Sequence, residues 1–232
     1  MGAWTIRRRR MGNNGHRAFL TQDEIAVYSF QQGKVAWDRF IKISPQKVAA
    51  GKKVAYGIRK TGPGTVLPYP AGLALIAESG KADRLLVAGN YSDNVVLLDT
   101  SDGSILKAFD LSQHPMVPSE YPYTVVATHD GRRAWVSLWN ASSVAELDLT
   151  GGKVVRWIPL MQPKDPTAPG SHPTALLLSP DEKLLYVALS NVDRVVTLST
   201  SNGRQVAALD TAVAGQKFSG SSPNALALSG VF

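Results

Sequence analysis

The sequence predicts an all-β protein assembled from repeated four-stranded antiparallel meanders. Apolar runs of 5 to 6 residues, rich in Val, Leu and Ala, alternate with clusters of Pro, Gly, Asn, Asp and Ser along most of the 232 residues. Runs that short between turn formers are strands, because a helix needs about ten or more residues. Pro70, Pro122, Pro173 and Pro223 each precede such a run, at spacings of 52, 51 and 50 residues. A fixed period of that length marks a repeated structural unit.

The clearest copy lies within 172–211. It reads TALLLS (174–179), LLYVAL (184–189), VVTLS (195–199) and QVAAL (205–209), with Pro180-Asp181-Glu182 and Ser201-Asn202-Gly203 as turns. Upstream, second strands recur at 85–88 (LLVA) and 134–138 (AWVSL), and third strands at 95–99 (VVLLD) and 144–148 (VAELD). Gly103, Gly152 and Gly203 fall between third and fourth strands, where a hairpin calls for a residue that accepts positive φ.

The runs Leu184-Leu185-Tyr186-Val187 and Val195-Val196-Thr197-Leu198, followed by Asn202-Gly203-Arg204, resemble the YVTN-type β-propeller repeat, a relative of WD-type blades. Leu97-Leu98-Asp99 and Glu146-Leu147-Asp148 match its strand ending in Asp. Ser199 departs from it, as do Gly89, Leu138 and Leu189 where the family carries Asn. The resemblance covers about residues 15–230 and implies blades at 15–43, 70–112, 122–160 and 173–210, with the first strand of a further blade at 223–230. It lies closest to the propeller part of bacterial proteins that join such a propeller to an alkaline-phosphatase-superfamily phosphoesterase domain, and it implies an extracytoplasmic setting. The chain reads as a fragment: a partial propeller of about four blades, an open arc in preference to a closed four-bladed ring.

In the first blade, 17–21 (RAFLT), 24–29 (EIAVYS) and 35–43 (VAWDRFIKI) match second, third and fourth strands, and no first strand precedes them. The connection 44–69 is the longest between blades. It is expected to hold a turn of helix near 45–53 and a strand near 54–59, and it is the best candidate for a lid.

Composition narrows the function. With no cysteine there is neither disulfide nor thiolate metal site. No apolar run approaches the 18 residues of a membrane-spanning helix. Residues 1–60 carry 13 Lys/Arg against 3 Asp/Glu, whereas the remainder carries 12 against 15. Arg7–Arg10 head a stretch without the apolar core of a signal peptide and without interleaved aromatics, so 1–14 are expected to be a disordered basic tail and nucleic acid is not an expected partner.

In a propeller, the loops entering first strands and those joining second to third strands share the face around the channel mouth. Tyr69, Tyr121, His172 and Ser222 precede the repeated prolines and occupy equivalent rim positions, while Asn90, Asn140 and Asn191 lie in the second-to-third loops of that face, with Trp139 beside Asn140. Tyr69, Tyr121, His172, Asn90, Trp139, Asn140 and Asn191 are therefore the candidate ligand-binding residues. The alternative is that Tyr-Pro and His-Pro brace loops and Asn shapes turns. The remaining large aromatics, Trp37, Trp135, Trp157 and Tyr186, are expected between blades. Asp99, Asp102, Asp110, Asp148 and Asp210 recur at strand ends as turn caps.

His16, His114, His129 and His172 lie on different repeats, none with metal-ligand spacing, and no nucleophile elbow or phosphate-cradling glycine loop occurs. No catalytic residue, metal or cofactor is expected. The favoured reading is a non-catalytic scaffold or binding module for a protein partner or small ligand, with self-association through exposed blade edges. The alternatives are a lactonase-like propeller enzyme, and the propeller part of a two-domain phosphoesterase.

Overall fold

A computed structural model describes residues 2–7, 23–32, 34–55, 57–58, 60–77, 83–161, 170–218 and 220–229. Among these, every regular element is a strand. The first blade holds β1 (Gly2–Arg7), β2 (Asp23–Gln31) and β3 (Lys34–Ile43). Four short strands follow: β4 (Gln46–Lys47), β5 (Lys53–Val54), β6 (Lys60–Gly62) and β7 (Thr65–Val66). The second blade holds β8 (Pro70–Ile76), β9 (Arg84–Gly89), β10 (Asn94–Asp99) and β11 (Ile105–Asp110), with β12 (Met116–Val117) after it. The third holds β13 (Pro122–Ala127), β14 (Arg133–Leu138), β15 (Ser143–Asp148) and β16 (Lys153–Pro159). The fourth holds β17 (Pro173–Leu178), β18 (Leu184–Leu189), β19 (Arg194–Ser199) and β20 (Gln205–Asp210). The last three blades are four-stranded antiparallel meanders in chain order. Gly103, Gly152 and Gly203 turn their hairpins at φ of 77°, 69° and 73°, and Asp99, Asp102, Asp110, Asp148 and Asp210 each accept a backbone N–H two residues on.

Alternation along a strand sends successive side chains to opposite faces, so a strand between two blades contributes to two cores. Leu85 and Val87 of β9 pack against Ile25, Val27, Ile41 and Ile43 of the first blade. Leu86 and Ala88 of the same strand pack toward Ala134, Val136 and Leu138 of the third. Trp135 and Val144 join Leu185, Val187 and Leu189 in the core between the third and fourth blades. This is why the middle strands read as unbroken apolar runs.

The face opposite the rim adds a second tie between neighbours. Arg39 Nη2 donates to Thr100 O at 2.6 Å, Lys107 Nζ to Leu149 O at 2.9 Å, and Arg156 Nη2 to Ser201 O at 3.1 Å. Each cation sits on the fourth strand of one blade and reaches a carbonyl at the third-strand end of the next. Arg156 and Arg133 also share the buried Glu146 carboxylate. In the fourth blade the equivalent position, opposite Thr197, is Ala207.

The arc is open. Phe109, Ile158 and Leu209 occupy one register position in successive blades, and their exposures are 2%, 5% and 63%. A following blade covers the first two, and among the described residues nothing covers the third. Residues 220–229 form no strand, although a first strand was expected at 223–230. They run beside β17, where Thr174 Oγ1 donates to Pro223 O at 3.1 Å, and among the described residues no second strand lies there to complete a ladder.

Three other expectations change. The strand beside β2 is β1, in register from Gly2↔Ser29 to Arg7↔Glu24, so the basic N-terminal stretch is paired over those residues where a solvated tail was expected. An edge of unpaired N–H and C=O groups on β2 gives the AWTI run of residues 3–6 a ladder to join. The anticipated strand at 17–21 lies outside the described residues, as do 8–14. The connection 44–69 forms no helical turn over 45–53, where one was expected. It folds as a three-stranded sheet in the order β4-β7-β6, and β5 pairs in parallel with β12. Lys52 Nζ donates to Ser112 Oγ at 2.6 Å and Asn94 Nδ2 to Gln46 Oε1 at 2.9 Å, so the segment is strapped to the second blade and is not a free lid. Trp37 and Trp157, expected between blades, are exposed on fourth strands.

Truncating Phe109 to Ala should lower stability by about 3–5 kcal/mol, as expected for a fully packed aromatic. Leu209→Ala at the equivalent exposed position should change it by less than about 1 kcal/mol. Denaturant unfolding of the two variants reads the contrast, and equal losses would contradict an uncovered fourth blade.

Candidate functional site

The rim is built by one device used four times. A side chain at the start of each third strand accepts backbone N–H groups from the loop that enters the following blade. Asp23 Oδ2 accepts from Tyr69 N at 2.5 Å. Asp93 Oδ1 accepts from Glu120 N at 3.1 Å and Tyr121 N at 3.0 Å, and its Oδ2 accepts from Ser119 N at 2.6 Å. Ser142 Oγ accepts from Ser171 N at 2.8 Å. Asp193 accepts from Gly220 N at 2.7 Å and Ser222 N at 3.0 Å.

The loop residue at the held N–H, or in the fourth blade the one after it, takes a left-handed conformation. Tyr69, Tyr121, His172 and Ser222 have φ of 52°, 53°, 50° and 43°, a region that side-chain-bearing residues enter rarely and that costs about 1–3 kcal/mol each. Hydrogen bonds on both sides fix it: the carbonyls of Tyr69, Tyr121 and His172 accept from Asn90 N, Trp139 N and Ser190 N at 3.0–3.1 Å.

These constraints bring the rim aromatics together. Tyr69 stacks on Tyr91 with ring centroids 4.2 Å apart, and Tyr91 meets Tyr121 edge-on at 6.3 Å. Tyr121 meets Trp139 edge-on at 6.5 Å, and Trp139 stacks on His172 at 3.9 Å. Five half-buried rings thus form one continuous ladder across the second, third and fourth blades. Four were expected at the rim; Tyr91 was not. It follows Asn90 by one residue, and the equivalent residues Ala141 and Val192 gave no repeated aromatic signal.

The three asparagines act as braces. Asn90 Nδ2 donates to Pro122 O at 3.0 Å, Asn140 to Ser119 O at 2.9 Å and Asn191 to Gly170 O at 2.9 Å. Asn140 and Asn191 thereby tie a second-to-third loop to the connection entering the same blade, and Asn90 ties its loop to the start of β13 in the next.

Burial sets the electrostatics. It lowers the basicity of His172 below the usual imidazole value, so the ring on Trp139 is uncharged at neutral pH. It raises the Tyr121 hydroxyl, as do Tyr91 and Asp93, keeping it protonated. Asp93 and Asp193 each sit in a cradle of backbone donors, and their carboxyls shift in opposite directions. Burial between blades pushes Asp93 from the ordinary 3.8 up to about 6 against the pull of its backbone donors. At the uncovered end those donors prevail and hold Asp193 at about 2. Among the described residues, no group of three or more His, Cys, Asp or Glu is placed to hold a metal ion.

The sequence matches no protein-family model and no curated protein. Solved structures do resemble the fold. Hydrazine synthase of Kuenenia stuttgartiensis aligns over 82% of this chain and 46% of its own, at 17% identity and a TM-score of 0.53. The periplasmic gluconolactonase PpgL of Pseudomonas aeruginosa aligns over 81% of this chain and 50% of its own, at 18% identity and a TM-score of 0.54. Both contain propeller folds. The fold is a partial β-propeller. The chain spans about half the length of each neighbour, and at these identities the likeness is one of fold alone.

A carboxyl whose pKa is raised by folding contributes stability that is complete below about pH 4 and lost as pH rises through about 6. Relative to Asp93→Asn, the native chain should therefore gain stability on acidification from pH 7 to pH 4, by at most about 3 kcal/mol. Asp193 has the opposite sign, losing its contribution as pH falls toward about 2. Unfolding free energies of both chains across this range test the assignment, and parallel pH profiles would contradict it.

Proposed function

We propose that this propeller is a non-catalytic scaffold and binding module of YVTN-repeat type, which takes a ligand with a flat apolar face against the rim ladder. The ligand is a small molecule or a side chain offered by a protein partner. The observation that carries this reading is the uninterrupted contact from Tyr69 through Tyr91, Tyr121 and Trp139 to His172. Aromatic rings offer a large contact area at small cost in side-chain entropy, and a ladder fixed by backbone latches enters binding already ordered. The rim asparagines are engaged with neighbouring carbonyls and serve the shape of the site.

A lactonase-like activity would require acid and base groups converging on the mouth. At this rim the imidazole is uncharged and stacked on an indole, an arrangement suited to contact more than to proton transfer. The propeller of a phosphoesterase would likewise bind or position while its partner domain reacts.

Fluorescence titration with an aryl sugar and with an aromatic peptide is expected to show saturable binding by at least one of them. Trp139→Ala interrupts the ladder on both sides and should weaken that binding about two- to tenfold per lost ring contact. Binding unaffected by both Trp139→Ala and Tyr121→Ala would remove the ladder from the function. The purified chain should leave sugar lactones and phosphate monoesters unchanged, and turnover abolished by His172→Ala would replace the module reading with an enzyme.

A further inference from the structure

A cleft adjoins the latch that holds Tyr121. The connection leaving the second blade and the outer strands of the third enclose this cleft of about 200 Å³, lined by Gln113, His114, Glu120, Ser143, Trp157 and Pro159 among others. Glu120 is fully buried there. Its Oε1 is saturated: it accepts from Gln113 N at 3.1 Å and Ser119 Oγ at 3.0 Å, and His114 Nδ1 lies at 2.7 Å. Among the described residues its Oε2 has no partner, and neither has the buried Ser143 Oγ. A carboxylate oxygen withdrawn from water without a donor is unfavourable, and the unpartnered Ser143 hydroxyl, which can both donate and accept, adds to the unmet hydrogen-bonding capacity of the cleft. Trp157, 39% exposed, and Pro159 supply an apolar wall at its opening.

We propose that this cleft binds a primary alkylammonium group. One N–H of the ammonium satisfies Glu120 Oε2 and a second satisfies Ser143 Oγ, while the alkyl stem lies along Trp157 and Pro159. An ammonium fits better than a guanidinium, because a bidentate guanidinium needs both carboxylate oxygens and Oε1 already serves three groups. The Trp157 ring adds attraction for a cation. Two sources share this chemistry: a free amine, and a lysine side chain of a peptide.

The probes are n-butylammonium, N-acetyl-lysine methylamide and, as a neutral isostere, n-butanol. They are titrated into the full chain while the indole N–H of Trp157 and the amide of Gln113 are followed by NMR. Both signals are expected to shift with either or both amines and not with butanol. Response to the lysine derivative alone identifies a peptide lysine, response to butylammonium alone a free amine, and either supports the site. Glu120→Gln keeps the size and removes the charge, so it should weaken binding about ten- to a hundredfold, the scale of a charge-assisted hydrogen bond. Equal response to butanol, no response to either amine, or full affinity in a folded Glu120→Gln would overturn the proposal. Should that variant fail to fold, the native chain still decides: amine-induced shifts that bypass both Trp157 and Gln113 would place the binding elsewhere and sink it.

Discussion

The latch from one blade to the loop of the next is the contact on which the rim depends. A short polar side chain at the start of a third strand accepts N–H groups that a tight turn would otherwise leave unpaired, and the turn can then hold the residue before the repeated proline at positive φ. Without the acceptor, the loop would carry both the conformational strain and unsatisfied donors. With it, the residue that precedes each proline, a ring in three of the four, is presented at a defined place. The apolar cores set how blades stack, and the latches set what the stack displays.

The latch carries a charge, and its balance depends on surroundings. Burial pushes the Asp93 carboxyl up to about 6, although it accepts several backbone N–H groups. Asp193 has a similar set of donors beside an uncovered blade and stays a strong acid. Desolvation outweighs the backbone donors at Asp93, whereas at Asp193 the donors outweigh desolvation. Ser142 stands at the third of these positions and makes the hydrogen bond without the charge.

Much of this fold was legible because each blade repeats its own punctuation. The spaced prolines and the hairpin glycines located the three whole blades, and the rim positions followed from propeller connectivity. The exceptions have physical reasons. A second-strand match at 17–21 obscured the pairing of Gly2–Arg7, since a basic run reads as solvated whether or not its backbone joins a ladder. Trp37 and Trp157 were expected between blades, but they lie on fourth strands, where one face meets solvent. The latches were present as a pattern: Asp23, Asp93, Ser142 and Asp193 each stand two residues before an Ile or Val of a third strand. Their partners are backbone groups of the following repeat, which periodicity within a single repeat does not reveal. Tyr91 has no counterpart in the other copies, and only the folded rim connects it to its neighbours.

The latches and the basic residues of the opposite face all run the same way, from a blade to its successor in the chain. An array tied by such contacts has a direction, as a filament with unlike ends does, because the surface that grips differs from the surface that is gripped. A blade inserted by duplication would fit at any joint without new chemistry, bringing one acceptor for the blade after it and one turn for the blade before it. A blade inserted in reverse would meet acceptor with acceptor. The orientation of every unit is thus fixed by a hydrogen bond and not by the shape of the core alone.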